Sequence, residues 1–275
     1  MPKPAPKISV IMPAYNAEAY IDAAIQSICA QTYSHWELIV VNDASTDRTA
    51  KIIARWCLQD KRIKTITLKH HAGASSARNT GILTAQSQYI VSMDADDVSL
   101  KDRFAKQIKF METHSQVAIL GGSMQVCDQN LKPLNLRHYH LTDQQIRQHL
   151  FRYSPFSHPT IFYRKDLAIK AGLYNSNLDR AEDYDFYFRL AKLGQLANLP
   201  DVIHNMRITK TGLSYSNTRR QEKLTLFVRL KAVFEYGYQM TIFDQLYFCA
   251  QLLSLFVIPS KVKYFLFNFL RSRKI

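Results

Sequence analysis

Over the first ninety residues, near-continuous apolar runs alternate with segments whose apolar residues recur at helical spacing. "KISVIMPAYN" reads as a buried strand running into a loop, followed by a helix with Ile21, Ala24, Ile25 and Ile28 on one face and Asn16 as its N-cap. "WELIVV" predicts a second strand, and "NDASTD" offers Thr46 or Asp47 to cap a helix bearing Ile52, Ile53 and Trp56. "IKTITL" predicts a third strand, "AGASSARNTGILTA" a loop and small-residue helix, and "YIVSM" a fourth strand. Strands of this kind alternating with helices indicate βαβ units and a largely parallel sheet covered on both faces. In such sheets ligands bind beyond the carboxyl ends of the strands. Asn16, Asp43 and the cluster Asp94–Asp97 all fall at such ends.

Further along, Ser99 with Asp102 has a capping-box spacing before a helix carrying Phe104, Ile108 and Met111. Two short strands are expected at "VAIL" and "SMQVC", then a helix capped by Thr142 and Gln145. "TIFYR" predicts a strand, "KDLAIKAG" a helix stopped at Gly172, and "AEDYDFYFRLAKLG" an amphipathic helix ending at Gly194. Two more strand-like runs end near Ile208, and from about Thr218 the chain reads as helical and basic. The expected division is a catalytic domain over 1–215 and a basic amphipathic helical extension over 216–275.

Composition and charge sharpen this picture. With 275 residues, 47% hydrophobic and 21% charged, the chain is long enough to bury a sizeable core. Cys29, Cys57, Cys127 and Cys249 show no paired spacing, so free thiols are expected rather than a disulfide framework or zinc site. "MPKPAPK" has no apolar run, so no signal peptide is expected and a cytoplasmic location follows. The formal charge is +14, of which +9 falls after residue 204 beside the most apolar stretch of the chain. That pairing points to an anionic membrane surface before nucleic acid, since no aromatic stacking platform or nucleic-acid motif accompanies the cations.

The chemistry-bearing stretch is "SMDADD", three carboxylates packed behind an apolar strand. Either this is a solvated, helix-capping turn, or a cation belongs there; hard oxygens suit Mg²⁺ or Mn²⁺ on a diphosphate. "VIMPAYN", "VVNDASTDRT", "GASSARNTGI", "IVSMDADD" and "AEDYDFYFRLAKLG", in this order, resemble the family 2 glycosyltransferases over roughly residues 7–208. The resemblance implies an α/β fold of the nucleotide-diphospho-sugar transferase (GT-A) type and a non-processive bacterial-type enzyme. The tryptophans of the processive synthases' Gln-x-x-Arg-Trp motif have no counterpart, because Trp36 and Trp56 both lie early.

The resemblance also implies roles. Pro13, Ala14, Tyr15 and Asn16 would line the nucleotide pocket; Asp43 would read the uracil N3–H; Arg78 would sit over base and phosphates. Asp94 and Ala95 would meet the nucleotide-sugar, and Asp96 would hold Mn²⁺ or Mg²⁺. Asp183 would be the catalytic base, with Glu182 binding the acceptor or orienting the loop, although acids at a helix start also serve its dipole. His158 falls on the acceptor side; Arg207 matches a terminal motif whose histidine is replaced by Thr209, with Lys210 as an electrostatic substitute. The implied reaction is inverting transfer from a UDP-sugar to a saccharide or glycolipid acceptor in surface-glycan synthesis, such as lipopolysaccharide, lipooligosaccharide or capsule. A homodimer is compatible with the basic helices, whose last residues (Lys261, Lys263, Arg271, Arg273, Lys274) are cationic. The rival readings are a sugar-phosphate nucleotidyltransferase, which would carry a glycine-rich basic loop where this chain has "PAYNAEAY", and a nucleic-acid-binding protein.

Overall fold

The computed structural model describes residues 7–208 and 218–258. Thr209, Lys210 and the cations from Lys261 to Lys274 lie outside the described residues. The elements run β1 (Ile8–Ala14), α1 (Ile21–Cys29), β2 (Trp36–Asn42), α2 (Thr49–Gln59), β3 (Ile63–Thr67), α3 (Ala74–Thr84) and β4 (Tyr89–Ser92). Then come β5 (Val98–Ser99), α4 (Arg103–Thr113), β6 (Val117–Cys127), β7 (Pro133–Arg137), α5 (Asp143–His149), β8 (Phe162–Arg164) and α6 (Lys165–Lys170). The chain continues with α7 (Glu182–Ala191), β9 (Gln195–Arg207), α8 (Thr218–Phe234) and α9 (Ile242–Val257).

These strands form one sheet ordered β3-β2-β1-β4-β8-β6-β9-β5, with β7 added on β6. β1, β2, β3 and β4 are mutually parallel, as their continuous apolar runs predict. The second half is mixed: β8 is antiparallel to β4 and β6, whereas β6 and β9 run parallel. The sheet separates two cores. Ile21, Ile25 and Ile28 of α1, Ile53 of α2 and Phe104, Ile108 and Met111 of α4 cover one face. Ala77 and Ile82 of α3, Phe186 and Leu190 of α7 and Val228 and Ala232 of α8 cover the other. β1 supplies both, with Val10 and Met12 facing one side and Ile11 the other.

Several local expectations change. "VAIL" and "SMQVC" are one strand, β6, because Gly121 and Gly122 do not break it; Asn198 and Phe156 crowd the first and Ile203 the second. The two runs before Ile208 are likewise one strand, β9, whose register slips against Gly122 and Ser123 past Pro200. Proline has no N–H to give the ladder, so a slip there costs nothing further. Asn16 is not the cap of α1, which starts after Tyr20; its Oδ1 instead accepts from Thr46 N at 2.8 Å. Asp102 precedes α4 without a side-chain cap, and Ser99 Oγ accepts from Arg103 Nη1 at 3.0 Å. The Thr142–Gln145 capping box on α5 is present. All four cysteines are free, Cys29 and Cys57 half-buried.

Candidate active site

Three loops meet beyond the carboxyl ends of β1, β2 and β4. After β1, Asn16 adopts a left-handed backbone (φ 48°), and after β2 so does Ala44 (φ 56°). Such conformations are uncommon for residues with a side chain and persist only when their surroundings hold them. Here Ser45 Oγ accepts from Asn16 N at 3.0 Å, and Asn16 Oδ1 takes Thr46 N, so the two loops brace each other. Asp43 is buried between them. Its carboxylate accepts from Ala72 N at 2.7 Å and Gly73 N at 2.9 Å, and His71 Nδ1 lies 2.9 Å from Oδ2. The exposed face of Tyr15 stacks on His71 with ring centroids 3.9 Å apart.

The acidic turn after β4 assigns its three carboxylates different surroundings. Asp94 accepts from Arg78 Nη2 at 3.2 Å. Asp97 is buried, 2% exposed, and accepts from Arg207 N at 2.8 Å and from His204 Nε2 at 2.8 Å. Arg103, wholly buried, donates to His204 Nδ1 at 3.3 Å and to Ser92 O at 3.0 Å. Burial and the Arg103 charge hold His204 well below the usual imidazole range, so a neutral ring passes a hydrogen bond from Arg103 to Asp97. Asp96 differs from both neighbours: among the described residues its carboxylate has no ion pair. Burial first, then the charges of Asp97 and Asp94, push it up to about 7. Arg207 braces the turn from behind, donating from Nε to Asp96 O at 2.7 Å, reaching Gln129 O, and lying 4.6 Å over the Tyr20 ring.

A lone carboxylate raised by its like-charged neighbours is a site that a divalent cation would relieve. Among the described residues no three acidic, histidine or cysteine side chains form a ready-made metal cage. Mg²⁺-type sites that use one or two carboxylates and complete their shell with substrate phosphate and water do not require one. The donor set around Asp96 therefore fits Mn²⁺ or Mg²⁺.

Opposite this turn stands the start of α7. Arg78, at 9% exposure, spans the gap, donating from Nη1 to Glu182 Oε1 at 3.0 Å while Nη2 holds Asp94. The two ends of "DADD…ED", 88 positions apart in the chain between Asp94 and Glu182, are thus joined through one guanidinium. Asp183 lies beside Glu182 and has no ion pair among the described residues; burial first and the Glu182 charge raise it to about 7, against the pull of Arg78. Its Oδ1 accepts from Tyr184 N at 2.7 Å. Asp185, the third acid of "EDYDF", is removed from this chemistry: it is wholly buried and tied to Arg189, Lys231 and Tyr236.

Around Asp183, Arg78 Nε, Glu182 Oε2, His158 Nδ1 and Tyr187 Oη are buried atoms without a hydrogen-bond partner among the described residues. Buried polar atoms are nearly always satisfied, so such a group of orphans marks a place built for something else to bind. His158 faces Tyr174, its Nε2 lying 2.9 Å from that hydroxyl, and burial with the charge of Arg78 keeps it neutral. Tyr174, whose ring lies 5.8 Å from the Arg78 guanidinium, and Tyr187 were not legible as site residues in the sequence. Tyr187 follows Asp183 by one helical turn, and that spacing was the signal available. The structure thus brings Arg78, Asp94, Glu182, Asp183 and His158 into one neighbourhood; Asp43 and Tyr15 flank it across β1 and β2, and Arg207 buttresses the acidic turn.

The glycosyl transferase family 2 model matches residues 9–172. An uncharacterized glycosyltransferase of Haemophilus influenzae is 32% identical over 212 residues, which cover 74% of this chain and 66% of that protein. The amylovoran biosynthesis glycosyltransferase AmsE of Erwinia amylovora is 31% identical over 77% of this chain and 79% of its own length. Among solved structures, Staphylococcus aureus TarS 1-349 in complex with UDP superposes with a TM-score of 0.70 at 20% identity, covering 93% of this chain and 73% of that one. The mannosyltransferase PcManGT of Pyrobaculum calidifontis, in complex with GDP-Man and Mn2+, gives 0.65 at 20% identity, over 92% and 71%. At that identity the structural likeness establishes the fold, the GT-A sheet flanked by helices. The family model and the relatives establish more: this chain belongs to glycosyltransferase family 2.

Proposed function

We propose that this protein is an inverting glycosyltransferase that moves a sugar from a UDP-sugar to a saccharide acceptor carried on a lipid at the cytoplasmic face of the membrane. The observation that carries the reading is the Arg78 bridge, which sets a raised carboxylate, Asp183 beside Glu182, across from the acidic turn. A base with a pKa near 7 is ionised enough to act at neutral pH and basic enough to take a proton. Asp183 removes the acceptor hydroxyl's proton as that oxygen attacks the anomeric carbon; the bond to the diphosphate breaks on the opposite face, inverting the configuration. Arg78 places positive charge where the departing diphosphate gains negative charge, and Glu182 fixes the guanidinium in that position. Mn²⁺ or Mg²⁺ held at Asp96 would neutralise the diphosphate. AmsE, named for amylovoran biosynthesis, and TarS, solved with UDP, support a polysaccharide product and a uridine nucleotide.

Asp43 is the candidate reader of the uracil edge. Its carboxylate already accepts from Ala72 N and Gly73 N, and the base N–H would take the lone pair that remains or the place of the exposed His71. Tyr15, released from that stack, then offers its ring to the base.

The test is a panel of UDP-sugars with Mn²⁺, scored by UDP release, with the wild type beside Asp96→Asn. Metal-dependent release from one or more UDP-sugars, lost in Asp96→Asn, is expected. Release from no UDP-sugar, or full metal-dependent activity in Asp96→Asn, sinks the reading. A product of retained anomeric configuration by NMR would exclude single displacement.

A further inference from the structure

α9 is turned inside out. Of its sixteen residues, the buried one is an aspartate, Asp244, which pairs with Arg152 Nε at 2.9 Å. Gln251, two turns on, accepts from Arg229 Nη1. Asp244, Phe248, Gln251 and Leu255 form the inward seam, four, three and four residues apart. The outward stripe is apolar: Ile242, Phe243, Leu246, Leu253, Phe256 and Val257 are each 62–82% exposed. A water-facing helix has the opposite arrangement, and a contiguous exposed apolar face of this kind marks a surface that something covers.

We infer that the outward face of α9 is a docking surface for an anionic lipid bilayer, lying in the headgroup–acyl boundary. Sixteen helical residues reach about 24 Å, short of the roughly 30 Å hydrocarbon core, and no described helix is long and apolar enough to cross a membrane. Charge selects the occupant. The sequence that follows, 259–275, contains five cations and no acid, interleaved with Tyr264, Phe265, Phe267 and Phe269. Pairing α9 with a second copy would bring two such cationic segments together, whereas an anionic leaflet attracts them. The face is also bolted to the chemistry. Arg229, buried on α8, donates to Gln251 of α9, to Arg152 O, and to the hydroxyl of Tyr184, the residue after Asp183. Docking through α9 therefore orients the candidate base relative to the lipid surface.

This deepens the membrane-side part of the proposed function and rests on it; binding is measured without nucleotide sugar, so its failure leaves the transferase reading standing. The full chain is sedimented with phosphatidylglycerol–phosphatidylethanolamine vesicles and with phosphatidylcholine vesicles, at low and high salt. The comparison is a triple variant, Phe243→Ser, Leu246→Ser and Phe256→Ser, at positions that point away from the protein. The expected result is binding of the wild type to anionic vesicles that weakens with salt, and a loss of about a hundredfold in the variant at unchanged Tm. If the triple variant unfolds earlier, Phe256→Ser alone decides, with about a tenfold loss expected. Equal pelleting of variant and wild type, no pelleting by the wild type, or a dimer that the variant converts to monomer without lipid would each overturn the inference.

Discussion

Asp183→Asn should stabilise the ligand-free protein at alkaline pH while abolishing transfer. In the folded protein the carboxyl titrates at about 7 instead of near 3.8, because it is buried beside Glu182. Between these values the folded state binds the proton more tightly than the unfolded chain, so stability falls as pH rises from about 4 to 7 and stays lowered above that. The full difference of about three pH units corresponds to roughly 4 kcal/mol. Part of the carboxyl is exposed to solvent, which screens the effect, so about 2 kcal/mol is the realistic figure. Asparagine keeps the shape and removes the charge. Thermal unfolding should therefore show little difference at pH 3, below both values, an intermediate gain at pH 5, and a Tm gain of about 4–8 °C for Asp183→Asn at pH 8. Donor binding should survive, with transfer reduced by several orders of magnitude, since the base acts only as the acceptor attacks. A variant no more stable than wild type at pH 8, or equally stabilised at pH 3, would refute the claim that Asp183 is held as a strained base.

Arg78→Met leaves Asp94 and Glu182 without their shared cation, and breaking a buried pair of this kind costs about 3 kcal/mol or more. Urea unfolding and nucleotide titration should show both lower stability and weaker UDP binding; a loss of binding alone would mean that the bridge is not structural. Gly81→Ala places a Cβ 2.6 Å from Ile11 Cγ2, where α3 rests on β1, and should cost about 1–3 kcal/mol in urea unfolding. An unchanged midpoint would show that α3 shifts freely on the sheet.

The parts of the site that the sequence shows are those set by local pattern. Apolar runs such as Ile8–Ala14 and Trp36–Asn42 can only be buried strands, so the polar residues at their ends had to converge at one edge. What stayed hidden depends on partners distant in the chain. Asn16 and Ser99 look like helix caps because capping spacing is local, yet Thr46 and Arg103 claim them. Local pattern alone does not separate Asp185 from Asp183 in "EDYDF"; the family resemblance picks Asp183, and Lys231 and Tyr236, 46 and 51 residues after Asp185, show where Asp185 goes. Glycine pairs read as breaks, and only the side chains of Asn198, Phe156 and Ile203 show why Gly121 and Gly122 continue a strand. Asp244 and Gln251 interrupt an apolar run in the sequence, and only their partners Arg152 and Arg229 show that they face inward.

The burial of Asp185 also bears on how this enzyme can be recombined with its relatives. The family-matched region ends at residue 172, a natural place to cut when exchanging one acceptor-side half for another. Such a cut would carry α7 with whichever half follows it, but the charge inside α7 is balanced partly by Lys231 in the last turn of α8 and Tyr236 just beyond it. A chimera whose foreign part stops before residue 236 would leave that buried carboxylate with Arg189 but without one or both of its α8-side partners. The smallest segment that keeps all three partners of Asp185 is therefore α7 through α8 and on to Tyr236, inherited as one piece.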